Sequence, residues 1–128
     1  MNVSPDRLPA RVEKPWGYEI WWARTDRYVG KLLHINKGAS LSLQYHEVKE
    51  ETILVQSGRM LVETKGKDEP GELRQITMKP GDVFHVTPGT LHRMTGLEDC
   101  DLVEVSTPEL HDVVRLEDRY GRAGTKEP

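Results

Sequence analysis

The sequence predicts an all-β, single-domain fold, a sandwich or a closed antiparallel barrel, and three observations carry that prediction. First, short runs rich in β-branched, aromatic and leucine residues recur along the chain. They are Tyr18–Trp22, Lys31–Asn36, Leu41–His46, Glu51–Gln56, Arg59–Thr64, Arg74–Met78, Asp82–Val86, His92–Thr95 and Leu102–Thr107. Second, these runs are separated by turn residues: Asn36-Lys37-Gly38, Ser57-Gly58, Lys79-Pro80-Gly81, Thr87-Pro88-Gly89 and Thr107-Pro108. Gly and Pro supply the backbone angles that tight turns need. Third, no long segment carries a 3.6-residue period. The best helical window is the short stretch Leu110–Asp118, and the polar stretch Lys65–Gly71 reads as a solvated hairpin loop.

Bulk properties bound the rest. A chain of 128 residues fits one domain. Lys+Arg 18 against Asp+Glu 21 leaves a formal net charge of −3, without the basic excess that nucleic-acid binding calls for. No window approaches the ~20 apolar residues of a membrane span, and the proline-containing start lacks the apolar run of a signal peptide. A cytoplasmic protein without membrane or nucleic-acid partners is the expectation. Residues 1–13 read as a flexible arm, 14–122 as the barrel and 123–128 as a flexible tail. Cys100 is the one cysteine, so no internal disulfide forms; Asp99 and Asp101 beside it would raise its pKa, which marks it as structural. Tyr45 reads as a core or interface residue. The aromatic cluster Trp16, Tyr18, Trp21 and Trp22 is expected to form an apolar edge through which the chain pairs as a homodimer.

Strand alternation then selects a candidate site. In Leu41–His46, Ser42, Gln44 and His46 share one face. Glu51 opens the next strand, and a hairpin would return it beside His46. His92 follows the distant turn Thr87-Pro88-Gly89. Nitrogen and oxygen donors converging on one point suit a divalent ion with open positions, with Zn, Mn, Fe, Co and Ni all compatible. Spacing alone does not establish this, because a strand-end histidine is more often a core or surface residue than a ligand.

The residues also carry a resemblance. GASLSLQYHEVKEETILVQSG (38–58) resembles the first motif of the cupin superfamily, with Gly38, Gln44, His46, Glu51 and Gly58 in the family's places. PGDVFHVTPGTLHRMTG (80–96) resembles the second, through Gly81, Gly89 and His92. The segments KPWGYEIWW, LSLQYH, PGTLHRM and VVRLEDRYGR are similar to the cupin domain of type II mannose-6-phosphate isomerases, over about 110 residues from Glu13 to Arg122. The resemblance implies a single-domain cupin, a double-stranded β-helix or jelly-roll barrel. It implies one metal ion bound by Gln44, His46, Glu51 and His92, with Gln44 as the isomerase-like replacement of the commoner histidine. Val48 stands where that branch carries a second histidine.

The implied activity is aldose–ketose isomerisation of a sugar phosphate, possible substrates being mannose 6-phosphate and fructose 6-phosphate. The reaction needs a Lewis acid and a base within hydrogen-bond reach. Candidate bases are Glu104, His34 and Glu63. Candidate cations for a phosphate are Lys31, Arg93 and Arg115. Arg93 adjoins His92, yet neighbouring strand residues point to opposite faces, so Arg93 serves only if the strand ends there. Other functions of the same fold are an epimerase, a lyase, a dioxygenase or a non-catalytic sugar-binding domain.

Overall fold

The computed structural model describes residues 7–126. Residues 1–6 and 127–128, parts of the expected flexible arm and tail, lie outside the described residues. The described strands are β1 (Ala10–Lys14), β2 (Gly17–Arg24), β3 (Val29–Ile35), β4 (Leu43–Tyr45), β5 (Glu51–Ser57), β6 (Met60–Lys65), β7 (Arg74–Met78), β8 (Val83–Val86), β9 (Leu91–Gly96), β10 (Cys100–Ser106) and β11 (Val114–Glu117). They form a six-stranded sheet in the order β1-β2-β3-β10-β5-β8 and a five-stranded sheet in the order β11-β4-β9-β6-β7. All pairings are antiparallel, and the two sheets face each other across the core as a jelly-roll barrel. Among the described residues, no helix is long and apolar enough to cross a membrane.

Alternation sorts the side chains. On β10, Cys100, Leu102, Glu104 and Ser106 are buried while Asp101, Val103 and Val105 point outward. On β3 the inward set is Val29, Lys31, Leu33 and Ile35. The apolar centre joins Ile35, Ile53, Val55, Met60, Val62 and Leu102 from both sheets. Charged residues also enter the interior. Glu19, Lys31, Lys49, Glu51, Glu104 and Arg115 are all buried.

Several sequence expectations are corrected. The barrel begins before residue 14: Ala10–Lys14 pairs with β2 from Ala10↔Trp21 to Lys14↔Gly17, because Val12 buries its side chain. The window Leu110–Asp118 contains no helix; Val114–Glu117 is a strand on β4. Within the expected tail, Gly124 and Thr125 are tied down, with the Gly124 amide donating to the Arg115 carbonyl and Arg115 Nη1 donating to Thr125 Oγ1. Trp16 and Trp21 lie in the interior, and Tyr18 stacks on His34, so within Trp16–Trp22 Trp22 is the large exposed residue. The segment is therefore not one exposed apolar edge.

Cys100 faces the core. Burial, with help from Asp101, Asp99 and Glu98, pushes its thiol up to about 11. It is thus expected to stay unreactive to a thiol reagent near pH 8 in the folded protein and to react on denaturation; fast native labelling would contradict this.

Two glycines separate backbone freedom from crowding. Gly38 and Gly58 both have positive φ, 80° and 78°. A Cβ at Gly38 meets open space, whereas one at Gly58 would lie 2.2 Å from the Asp99 carbonyl oxygen. Gly38→Ala is expected to cost about 1 kcal/mol, and Gly58→Ala more, roughly 1–3 kcal/mol with a displaced turn. Chemical denaturation of the two variants checks the order.

Candidate metal centre

The candidate ligands come from both sheets. β4 and β9 are neighbours in the five-stranded sheet, with Gln44 directly opposite His92. Glu51 starts β5 in the other sheet. The expected hairpin between the first two ligand strands is absent: the chain crosses from one sheet to the other over residues 46–50, and Glu51 reaches the histidines across the interior. Glu51 Oε1 lies 3.5 Å from His92 Nε2 and 3.8 Å from His46 Nε2. One donor atom from each of His46, Glu51 and His92 fits within 4.8 Å of the others, and all three residues are buried.

Backbone carbonyls orient both imidazoles, a remote one for His46 and a local one for His92. His46 Nδ1 is 2.6 Å from the Asp112 carbonyl, and His92 Nδ1 is 3.0 Å from the Thr90 carbonyl. A carbonyl only accepts, so each Nδ1 carries a proton and each Nε2 is the nitrogen turned to the interior. Both Nε2 atoms are buried without a hydrogen-bond partner. Two orphaned imidazole nitrogens beside an ionised carboxylate fit a divalent cation, and carbonyl-fixed tautomers are the usual support for metal-bound histidine. Gln44 adjoins this cluster; its Oε1 accepts a 2.5 Å hydrogen bond from Ser42 Oγ.

The loop that carries His46 hangs on Asp112. Its carboxylate accepts the amides of Glu47, Val48 and Lys49 at 3.0, 2.7 and 2.8 Å. Burial opposes ionisation there, but the Lys49, Val48 and Glu47 amides win and hold Asp112 below the usual carboxylate range. The Glu50 amide donates to Thr107 Oγ1, and the Gly89 amide to the His46 carbonyl.

Lys49 then enters the interior. Its Nζ lies 3.1 Å from Glu51 Oε2 and 3.8 Å from Glu104 Oε2. Burial works against its charge, but Glu51 and Glu104 outweigh that and raise its pKa. Burial would likewise raise Glu51, yet Lys49 and the two imidazoles hold it well below the usual range. Glu104 goes the other way: burial and then the Glu51 charge push it up, against Lys49 and Lys31. Nearby, Glu19 accepts from Trp21 Nε1 at 2.7 Å and pairs with Lys31 at 3.3 Å.

These groups line one cavity of about 60 Å³, together with Lys14, Arg115 and Arg122. Among the earlier candidates, Gln44, His46, Glu51, Lys31, Glu104 and Arg115 line it, and His92 adjoins it through Gln44 and Glu51. Three others do not reach it. Arg93 binds Glu63 through two nitrogens, at 2.9 and 3.2 Å, and Glu117 at 3.0 Å, all on the outer side of the five-stranded sheet. His34 is on the outer side of the six-stranded sheet, 2.7 Å from Asp101. The reason is parity: Arg93 follows the inward His92 within a continuing strand, Glu63 lies between inward Val62 and Thr64, and His34 between inward Leu33 and Ile35.

The sequence reading missed Lys49, Asp112, Glu19 and Lys14. Glu19 was accessible, since it shares a strand face with Trp21. Lys49 and Asp112 sit in irregular segments, where no period gives a side chain's direction.

Comparison with known proteins agrees with this architecture. A family model described as the cupin domain matches residues 31–106, and the chain belongs to the cupin family. It is 30% identical over 117 residues to the xanthan biosynthesis protein XanB of Xanthomonas campestris pv. campestris, covering 88% of this chain and 24% of that protein. It is 31% identical over 121 residues to the mannose-1-phosphate guanylyltransferase of Escherichia coli K12, covering 91% of this chain and 24% of that one. The chain thus spans about a quarter of the length of these relatives. Among solved structures, KdgF from Halomonas sp. superposes with a TM-score of 0.65 at 24% identity, over 77% of this chain and 87% of that one.

Asp112→Ala is expected to lower stability by roughly 1–3 kcal/mol, from loss of charge-assisted hydrogen bonds to three amides. Because the folded pKa of Asp112 is depressed, its contribution is complete at neutral pH and fades as the pH falls through that folded value. Urea unfolding at pH 7 should therefore separate parent and variant, with the gap closing toward pH 3. A gap of constant size would remove Asp112 from this role.

Proposed function

We propose that this chain is a metal-dependent sugar-phosphate isomerase of the cupin type, interconverting an aldose phosphate and its ketose, with mannose 6-phosphate and fructose 6-phosphate the pair to test first. The observation that carries the reading is the coexistence, around one cavity, of the His46–Glu51–His92 set, a buried carboxyl of raised pKa and a group of cations. The likeness to XanB and to mannose-1-phosphate guanylyltransferases, whose names concern a polysaccharide and a sugar phosphate, supports the substrate class.

In this reading His46, Glu51 and His92 hold one divalent ion, with Gln44 as a fourth donor. When bound, that ion supplies the Lewis acidity that polarises a sugar carbonyl. The remaining roles fall to the chain's own side chains. Isomerisation removes a proton from C2 of the aldose and adds one to C1, while the O2 proton is lost and O1 gains one. Glu104 is suited to carry the carbon-bound proton, since burial and Glu51 move its pKa toward neutrality, where a carboxyl both accepts and returns a proton. Lys31, Lys14 and Arg115 supply positive charge for the phosphate. Lys49 pairs with Glu51 and lies beside Glu104, which favours their burial together. A cavity of about 60 Å³ is smaller than the roughly 300 Å³ at which small-molecule sites begin.

Metal analysis of the purified protein and a sugar-phosphate panel test the reading. His46→Ala and His92→Ala are each expected to lose metal, with an unchanged β-type circular dichroism spectrum. Gln44→His should keep metal. Glu104→Gln should also keep metal and fold but lose at least ~100-fold in kcat, in line with removal of a general acid–base group. Metal retained by both histidine variants would show the site to be misassigned. Full turnover in Glu104→Gln would move the proton to another group.

A further inference from the structure

We infer that Arg122 is the specificity-determining residue for the phosphate of an anionic substrate, and that Asp118 is the positioning residue that aims its guanidinium into the cavity. The inference rests on the sugar-phosphate reading above. It gives a role to the turn Asp118-Arg119-Tyr120-Gly121-Arg122, which that reading leaves without one.

Local chemistry shapes the turn first. An Asp side chain favours hydrogen bonds to backbone amides a few residues on. Asp118 Oδ2 accepts the Tyr120 and Arg122 amides at 3.3 and 2.7 Å. Gly121, with φ at 77°, supplies the left-handed residue that brings the chain back. The two arginines of the turn then part. Arg119 Nη1 donates to the Gly38 carbonyl at 2.8 Å and pins the turn to a neighbouring loop. Arg122 goes inward and lines the cavity.

Asp118 also fixes the direction of that guanidinium. Arg122 Nε and Nη2 donate to Asp118 Oδ2 and Oδ1 at 3.1 and 3.0 Å, a two-pronged pair. The Asp118 side chain is 0% exposed and the Arg122 side chain 12%. Burial opposes the charge on Asp118, but Arg122 and the amides hold its carboxyl below the usual range. A guanidinium carries its N–H donors in one rigid plane. The Nε–Nη2 edge is spent on Asp118. The Nη1–Nη2 edge is the second two-pronged edge, and among the described residues no hydrogen bond engages Nη1.

Other cations converge on the same space. Lys14 and Lys31 reach the cavity from the six-stranded sheet, and Arg115 from the five-stranded sheet. They lie close enough to act on one another. Burial lowers the Lys14 pKa, Glu19 opposes that, and Lys31, Arg122 and Arg115 lower it further. Cations gathered in this way suit a doubly charged oxyanion, and a planar guanidinium edge matches two of its oxygens. The space suffices for the anion, since one water needs about 10–15 Å³ and the cavity holds about 60 Å³.

Calorimetric titration of the purified full chain with inorganic phosphate tests this, at low salt and about pH 8, where phosphate is mainly a dianion. The parent is expected to bind phosphate, with mannose 6-phosphate competing and mannose not. Arg122→Gln should weaken phosphate binding roughly 10–100-fold, the range for hydrogen bonds to a charged group. Arg122→Lys should restore only part of it, because an ammonium lacks the planar edge. Asp118→Asn should weaken it less than Arg122→Gln does, with an unchanged circular dichroism spectrum. In turnover, Arg122→Gln should raise KM for mannose 6-phosphate by a similar factor with kcat nearly unchanged. Arg93→Gln, on the outer side of the five-stranded sheet, should bind phosphate like the parent. If Arg122→Gln leaves Asp118 unpaired and does not fold, the double variant Asp118→Asn/Arg122→Gln replaces it. A parent that binds no phosphate overturns the inference, and so does a folded Arg122→Gln or double variant that binds it like the parent. Phosphate binding that is lost in Arg122→Gln, from a parent that turns over no sugar phosphate, would support the Arg122 site and overturn the isomerase reading alone.

Discussion

Charges buried between two sheets are the constraint on which this structure turns. An isolated ion moved from water into a protein interior loses several kcal/mol even after relaxation, yet Glu19, Lys31, Lys49, Glu51 and Glu104 all lie inside the barrel. They persist because they are placed against one another. Lys31 answers Glu19, and Lys49 stands between Glu51 and Glu104. One cation cannot satisfy two carboxylates equally, so Glu51 is held ionised while Glu104 is pushed toward its protonated form. A carboxylate held ionised beside two histidines and a neighbouring carboxyl of raised pKa thus arise from one packing arrangement.

The same arrangement explains why the interior is divided. Toward Ile35, Ile53, Met60 and Leu102 the sheets close on an apolar core. Toward the crossing loop at 46–50 the inward positions are polar, and the space between the sheets remains a cavity. Strand order keeps the two regions apart. β4 and β9 bring Gln44 and His92 side by side in one sheet, while β10 and β3 bring Glu104 opposite Lys31 in the other.

Stability and the geometry of the candidate metal centre meet in the loop after β4. Its backbone direction is set from afar by the Asp112 carboxylate, Thr107 and Gly89. The Asp112 carbonyl also fixes the proton on His46. One residue near the end of the chain thereby shapes the loop, aims an imidazole and places Lys49 against Glu51. Thr125 is held from the same region, since Arg115 both lines the cavity and binds it.

What the sequence determined by itself was periodic. Alternation and Gly/Pro turns specified an all-β fold, and nearly every anticipated strand between residues 17 and 106 forms within a residue or two of its expected span. The same alternation placed Gln44 and His46 on one face and signalled that Arg93 would turn away from His92. It fails where the chain is irregular or where partners are remote. Residues 10–14 became a strand because β2 offered a free edge, and 114–117 because β4 did. Neither segment carries enough apolar residues to declare itself, since an edge strand gains much of its stability from the neighbour it pairs with. Lys49 and Asp112 lie in loops without a period, so only the tertiary structure could bring them to Glu51 and His46. The sheet to which each strand belongs was likewise undetermined locally. A Gly-containing turn permits both a hairpin and a crossing, and the choice rests on which partner strand, far along the chain, completes the hydrogen-bonded ladder.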